Sequence, residues 1–88
     1  MSKIILQSAG HGTISHVVET GDGKQYAVCS TKVFDNRLRP FETAVFKWNR
    51  KVKDITNWIH LTRSNEETEE EMLITHELMC ENLEAYLA

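Results

Sequence analysis

The sequence predicts an α+β fold in which a small antiparallel sheet of three to five strands is covered on one face by a single C-terminal α-helix. Two patterns lead to that prediction. Short segments rich in β-branched and aromatic residues alternate with turn residues through the first two thirds of the chain. The last 25 residues instead show the apolar periodicity of a helix. Eighty-eight residues are enough for one small domain, which we place at residues 1–88.

The strands are predicted from runs that turn residues bound. Residues 13–19 and 24–34 flank Thr20-Gly21-Asp22-Gly23 and predict a β-hairpin. A loop ending at Pro40 precedes a third strand over residues 41–48, since proline suits the start of a strand. A fourth extended segment is expected within residues 52–62, centred on 58–61. Residues 3–7 are a further candidate for an initial strand.

The helix is predicted to begin at about Asn65, because Ser64 followed three residues later by Glu67 matches a capping box. At 100° per residue, eight side chains fall within an arc of about 140° and form a stripe that should face the sheet. These side chains are Met72, Leu73, His76, Met79, Cys80, Leu83, Tyr86 and Leu87.

Charge divides the chain into two parts. Residues 1–63 form a basic, β-rich part with ten basic and five acidic side chains. Residues 64–88, the acidic helix, carry eight glutamates and no lysine or arginine. Such asymmetry indicates a function performed through charged surfaces and not in a catalytic pocket. The chain is therefore expected not to be an enzyme.

The side of the helix opposite the apolar stripe is the first candidate surface. Ile74, Leu78 and Ala85 lie there between acidic residues, as on helices that meet a partner. The predicted partner-binding residues are Glu70, Ile74, Glu77, Leu78, Glu81 and Glu84. A solvated surface without a partner and a homodimer contact are the alternatives that the pattern leaves open.

Basic residues near aromatic ones form the second candidate surface, because such mixtures contact phosphates and stack on bases. The residues of this alternative ligand-binding surface are Arg37, Arg39, Lys47, Arg50 and Lys51. A nucleic acid or a small phosphorylated ligand would bind there. Against it stand a net charge of −3 and the absence of a recognised nucleic-acid motif.

Histidine and cysteine provide a third set of candidates. His76 and Cys80 lie four residues apart on the helix and could reach one ion, with Cys29, His60 or His16 as conceivable further ligands. No complete metal motif occurs, so we expect neither a metal nor a cofactor. The preferred interpretation is a core-edge His76 bonded to a backbone carbonyl and a buried, inert Cys80.

The sequence contains no apolar run of membrane-spanning length, and only three apolar residues follow Lys3 before polar ones resume. The two cysteines are far apart and without companions, which fits reduced thiols. We therefore expect a cytoplasmic protein without a membrane partner.

Two short motifs resemble a known family. Residues 41–46 read Phe-Glu-Thr-Ala-Val-Phe, and Thr-Glu-Glu-Glu at 68–71 leads to Thr-His-Glu at 75–77. The chain thus resembles, over about residues 41–80, small accessory proteins of tailed bacteriophages with a Tyr-Glu-Thr-Met-Val-Phe-like strand and a helix carrying Glu-Glu-Ala before Gly-His-Glu. Ala44 and Thr75 depart from the methionine and glycine of that family. The resemblance implies a phage accessory product in a bacterial cytoplasm, and many such small acidic proteins bind and inhibit or redirect host proteins. A structural component of the phage and an enzyme that uses His76 are the further alternatives.

Overall fold

The computed structural model describes residues 2–88 and confirms the predicted α+β fold, with helical segments packed on an antiparallel sheet. The sheet has six strands, one more than the upper limit that the sequence predicts. The elements in chain order are β1 (Lys3–Leu6), β2 (Ile14–Glu19), β3 (Gln25–Lys32), β4 (Phe41–Asn49), β5 (Asp54–Ile55), β6 (Thr62–Glu66), α1 (Glu69–Glu81) and α2 (Leu83–Leu87).

The first four strands follow one another across the sheet in chain order, and every neighbouring pair is antiparallel. The predicted hairpin of β2 and β3 is confirmed, with Val18 opposite Tyr26. Its turn contains Gly23 at a φ of +83°, a conformation that glycine adopts without steric cost. The candidate initial strand is also present, as β1.

The outer edge of β4 is shared between two strands. β6 pairs with Phe41 to Val45, and β5 pairs with Trp48 and Asn49. The fourth extended segment lies within the predicted residues 52–62, as the short β5. Residues 58–61, where we expected its centre, form no strand and lie in the connection between β5 and β6. Trp58 and Ile59 are 59% and 72% exposed, so their β propensity is not used in the sheet.

The pairing of β6 also corrects the predicted start of the helix. Ser64 lies opposite Thr43 within the sheet and does not cap a helix. α1 begins four residues later, with Thr68 as its N-cap: the Thr68 hydroxyl oxygen accepts a hydrogen bond from the Glu71 backbone N–H at 3.2 Å. Long-range pairing satisfies backbone groups along the edge of β4, and that gain overrides the local capping signal at Ser64.

The predicted single helix is interrupted at Asn82, whose φ of −138° and ψ of 50° are not helical. Ser2 lies against this break. Its hydroxyl donates to the Cys80 carbonyl at 2.9 Å and accepts from the Leu83 N–H at 3.0 Å. Ser2 therefore satisfies a carbonyl at the end of α1 and an amide at the start of α2, which would otherwise lack partners.

The helical segments pack on one face of the sheet, as expected. Val18, Val28 and Val45 from three adjacent strands meet side chains of the predicted apolar stripe. The stripe residues buried in this core or beside it are Met72, His76, Met79, Cys80 and Leu83. Each fully buried large aliphatic side chain stabilises the fold by roughly 1.5–3 kcal/mol before cavity effects.

A second, smaller core lies on the opposite face of the sheet. It contains Ala9, Val17, Ala27, Cys29 and Ile55, with Phe46 and Trp48 packed against it. The segment before β2 and the segment after β5 meet over this face, where the His11 and Trp58 rings are 4.8 Å apart. Both faces of the central strands are thus covered.

Candidate functional site

The outer face of α1 is the first candidate site. We call Glu70, Ile74, Glu77, Leu78 and Glu81 the acidic face, and all five are exposed in the structure. Ile74 and Leu78 retain 55% and 49% of their accessible surface. Within residues 2–88, none of these three glutamates forms a salt bridge. The charge and the apolar surface of this face are therefore available to another molecule.

Glu84, the sixth residue predicted for this surface, does not project outward with the others. It lies on α2, and its carboxylate accepts a hydrogen bond from the Gly21 N–H at 3.0 Å. That backbone hydrogen bond is the main reason why the pKa of Glu84 is lowered to about 2. Because the helix is interrupted at Asn82, Glu84 connects α2 to the turn between β2 and β3 and is not part of the acidic face.

The predicted basic surface is divided between two ends of the sheet. Arg37 and Arg39 lie in the connection between β3 and β4, whereas Lys47, Arg50 and Lys51 lie at the end of β4 and in the turn that follows. Lys47 is the seventh residue of β4, so the strand separates it from the start of β4 by roughly 20 Å at about 3.3 Å per residue, and Arg37 and Arg39 lie before that start. The five side chains are therefore not one binding surface.

The second of these groups lines a cleft of about 530 Å³, which we call the basic cleft. Its chemistry comes from four basic and two aromatic side chains. These are Lys24, Lys47, Arg50, Lys51, Tyr26 and Trp48. The Arg50 guanidinium donates to the Gly23 carbonyl at 2.8 Å, which fixes the arginine across the hairpin turn. A cleft of this size that is lined by four basic and two aromatic side chains is suited to an anion that carries a flat ring.

A chain of polar side chains runs beneath α1, between the helix and the sheet. The Ser30 and Thr43 hydroxyls are 2.6 Å apart, and Ser30 Oγ is 2.7 Å from His76 Nδ1. On the other side of the ring, His76 Nε2 is 2.7 Å from His16 Nδ1. We call Ser30, Thr43, His16 and His76 the polar chain. His76 is only 3% exposed, and both of its ring nitrogens have partners.

His76 is thus buried as expected, but its partners differ from the predicted backbone carbonyl: they are a serine hydroxyl and a second histidine. Side chains alternate between the two faces of the sheet along β3 and β4, and this alternation places Ser30 and Thr43 on the face that α1 covers. The alternation could therefore have identified them as candidate partners of His76. Nothing local could have paired His16 with His76, which lie 60 residues apart.

Burial controls the ionisation of this region. Desolvation lowers the pKa of His76 to about 4, and the neighbouring His16 adds to the decrease. Burial also lowers the pKa of His16. It raises the pKa of the Cys80 thiol to about 12, with further contributions from Glu81 and Glu77. At neutral pH both imidazoles are uncharged and Cys80 is a thiol, so Cys80 by itself is a poor nucleophile.

Of the residues considered for a metal, three come together. One ligand atom each from His16, His76 and Cys80 lies within 4.8 Å of the other two. Cys29 lies in the core on the opposite face of the sheet, and His60 is exposed in the connection before β6. The cluster borders a second cleft of about 530 Å³ between β1, β2 and α1, which we call the histidine cleft.

Comparison of the chain with protein-family models, with curated proteins and with solved structures gave no match in any of the three. Within residues 2–88, neither helical segment has the length and apolar character that a bilayer-crossing helix requires.

Proposed function

We propose that this chain is a non-enzymatic interaction protein whose acidic face binds a positively charged surface of a host bacterial protein and so inhibits or redirects that protein. One observation carries the proposal: three carboxylates and two large apolar side chains share an exposed helix face without a neutralising cation from residues 2–88. Complementary charge would bring the partner to this face, and apolar contact would stabilise the complex.

The stability of α1 does not account for this arrangement. Glu77 and Glu81 are one turn apart, where like charges destabilise a helix. Glu81 is also the last residue of α1, near the negative end of the helix dipole, where a basic side chain would be favourable. Ile74 and Leu78 expose apolar surface beside them. Contact with a partner would compensate for both of these unfavourable features.

The geometry favours a particular kind of partner. An amphipathic helix binds by placing apolar residues spaced three or four apart into a groove, as Ile74 and Leu78 are spaced here. The glutamates beside them would meet lysines or arginines at the rim of that groove. A bacterial partner is proposed because the chain resembles accessory proteins of tailed bacteriophages over about residues 41–80.

The proposal is tested by affinity capture from a bacterial lysate with matched variants, followed by identification of the captured protein. Glu77→Lys should weaken capture roughly tenfold, since one charge contact is worth about 1.4 kcal/mol. The Ile74→Ser/Leu78→Ser double variant should weaken it roughly 100-fold or more. The captured protein should have a basic surface, and its own activity should change when the wild-type chain is added.

Two control variants change residues in the connection between β3 and β4, outside the acidic face. Asp35→Lys reverses one exposed charge, and Phe34→Ser/Leu38→Ser removes two apolar side chains that are more exposed than Ile74 and Leu78. Both controls should capture the partner as the wild type does. Equal capture by Glu77→Lys and by the wild type, or a partner without a basic surface, would contradict the proposal.

The basic cleft favours a second candidate function, the binding of a nucleotide, free or within a single strand. Lys47, Arg50 and Lys51 would contact phosphate oxygens, and a base would stack against Trp48. The overall negative charge of the chain does not prevent this, because the acidic residues of α1 lie outside the cleft.

Two matched double variants test nucleotide binding in the basic cleft, because Arg50 and Arg37 lie at opposite ends of β4. Titration with adenosine monophosphate and with a short single-stranded oligonucleotide should shift the amide resonances of residues 47–51, and less so at high salt. Arg50→Gln/Lys51→Gln should weaken binding at least roughly tenfold, whereas Arg37→Gln/Arg39→Gln should leave it unchanged. Equal losses in the two variants would indicate nonspecific attraction and exclude a site in the cleft.

A further inference from the structure

We propose that the histidine cleft holds a divalent transition-metal ion of the zinc class, bound by one ring nitrogen each of His16 and His76 and by the Cys80 sulfur. The three ligand atoms lie within 4.8 Å of one another although the residues come from β2 and α1. Two imidazoles and a thiolate are a donor set that zinc prefers, and the histidine cleft beside them leaves room for a fourth ligand.

The polar chain orients His76 for ligation. Ser30 Oγ is hydrogen-bonded to His76 Nδ1 at 2.7 Å and to the Thr43 hydroxyl at 2.6 Å. A metal-bound histidine usually donates its other ring N–H to a fixed oxygen, and this contact sets both the tautomer and the ring orientation. With Nδ1–H donating to Ser30, the lone pair of Nε2 is directed toward His16 and the cleft.

Binding requires one small adjustment. The two facing nitrogens are 2.7 Å apart, whereas two nitrogens on one tetrahedral zinc are about 3.3 Å apart for zinc–nitrogen bonds of about 2.05 Å. His16 is the ring that can move, because it is only partly buried and lines the open cleft. The metal replaces the hydrogen bond between the rings, the His16 proton moves to its other nitrogen, and the Cys80 thiol releases one proton to solvent.

Charges at the rim of the histidine cleft favour a cation on balance. Glu77 and Glu81 line the cleft on the helix side, and either carboxylate or a water molecule could complete a tetrahedral site. Lys3 lies on the opposite rim and opposes a cation, but its ammonium is 3.9 Å from the Glu19 carboxylate, which offsets its charge. This inference does not depend on the proposed binding of a host protein.

Cobalt(II) titration of the untagged protein, with zinc as competitor, tests the site. We expect one cobalt per chain, a thiolate-to-cobalt charge-transfer band in the near ultraviolet and the visible bands of a tetrahedral site. One equivalent of zinc should remove these bands. Cys80→Ser should abolish the charge-transfer band, and His16→Gln should weaken cobalt binding roughly 100-fold or more. Ser30→Ala, which keeps all three ligands, should weaken it about 10- to 100-fold.

The matched controls are Cys29→Ser and His60→Gln, which remove the other cysteine and an exposed histidine without touching the histidine cleft. Both should bind cobalt like the wild type. His16→Gln is the safest variant for folding because His16 is only partly buried, and far-ultraviolet circular dichroism verifies the fold of each variant. Absence of the charge-transfer band in the wild type, its persistence in Cys80→Ser or its loss in Cys29→Ser would overturn the inference.

Discussion

Gly12 lies where the segment before β2 comes closest to β3. Its φ is +73°, and a Cβ atom at this position would be 2.8 Å from the Ser30 carbonyl oxygen. The neighbouring Thr13 N–H donates to that same oxygen at 2.8 Å, so the approach is held by a hydrogen bond. Gly10 has a similar φ of +79° but no neighbour within 4 Å of its hypothetical Cβ. A substitution at Gly10 therefore tests backbone strain alone, whereas the same substitution at Gly12 adds a steric collision.

Gly10→Ala should destabilise the protein by about 1–2 kcal/mol, the cost of a left-handed conformation for a residue with a Cβ. Gly12→Ala should destabilise it by at least about 1 kcal/mol more, because the added methyl group also collides with the backbone of β3. Urea denaturation of the two variants and the wild type measures both free energies. Equal losses in the two variants would show that the close approach to Ser30 is absent in solution.

At the scale of elements, the start of α1 shows how pairing and capping compete. Two strings of the form Ser/Thr-x-x-Glu occur four residues apart, at Ser64 and at Thr68. Either could cap a helix, and β6 decides between them because residues 62–66 complete the edge of β4. The Ser64 hydroxyl instead donates to Glu66 at 2.6 Å, and Glu66 also accepts from Thr75 of α1 at 3.1 Å. Glu66 thereby connects the last strand to the helix.

Thr68→Ala should destabilise the protein by about 1 kcal/mol, with a range of roughly 0.5–2, because the Glu71 N–H loses its acceptor. Thr68→Ser keeps the hydroxyl and should retain most of the stability. Thermal unfolding followed by circular dichroism gives both values. A larger loss of helical signal in Ser64→Ala than in Thr68→Ala would place the helix start at the position that the sequence predicts, contrary to the structure.

At the scale of the whole molecule, His76 connects ionisation to folding. The ring lies between β3 and α1, and the titratable groups that face it are His16 from β2 and Cys80 from its own helix, with Glu77 and Glu81 at the cleft rim. In the unfolded chain the pKa of a histidine is about 6.5, and in the fold that of His76 falls to about 4. The unfolded state therefore binds more protons between these two values.

The free energy of unfolding should consequently be highest above pH 6.5 and should fall as the pH is lowered toward 4. The loss should be on the order of 2 kcal/mol after allowance for solvent screening at the open cleft. Urea denaturation across this pH range measures the slope. His76→Gln should flatten it, whereas His60→Gln, which changes an exposed ring, should not. An NMR titration of wild-type His76 with a midpoint near 6.5 would contradict the argument directly.

The acidic and the basic side chains occupy different parts of the molecule. Glu70 lies on the outer side of α1, whereas Glu77 and Glu81 lie where that side meets the rim of the histidine cleft. The basic cleft lies at one end of the β3–β4 pair. The sequence shows that the two charge types are separated along the chain. It does not show that Arg37 and Arg39 lie at the opposite end of the sheet from Lys47, Arg50 and Lys51, because that depends on the direction of β4.

Local sequence patterns were sufficient to predict the β2–β3 hairpin, the strand after Pro40 and the buried side of α1, because turn residues and apolar periodicity act over a few neighbouring positions. Three features follow from the three-dimensional contacts alone: residues 62–66 complete the edge of β4, Ser2 bridges the helix break, and His16 meets His76 and Cys80. These contacts join residues far apart in the chain, and their free energy depends on burial and pairing that no local pattern records.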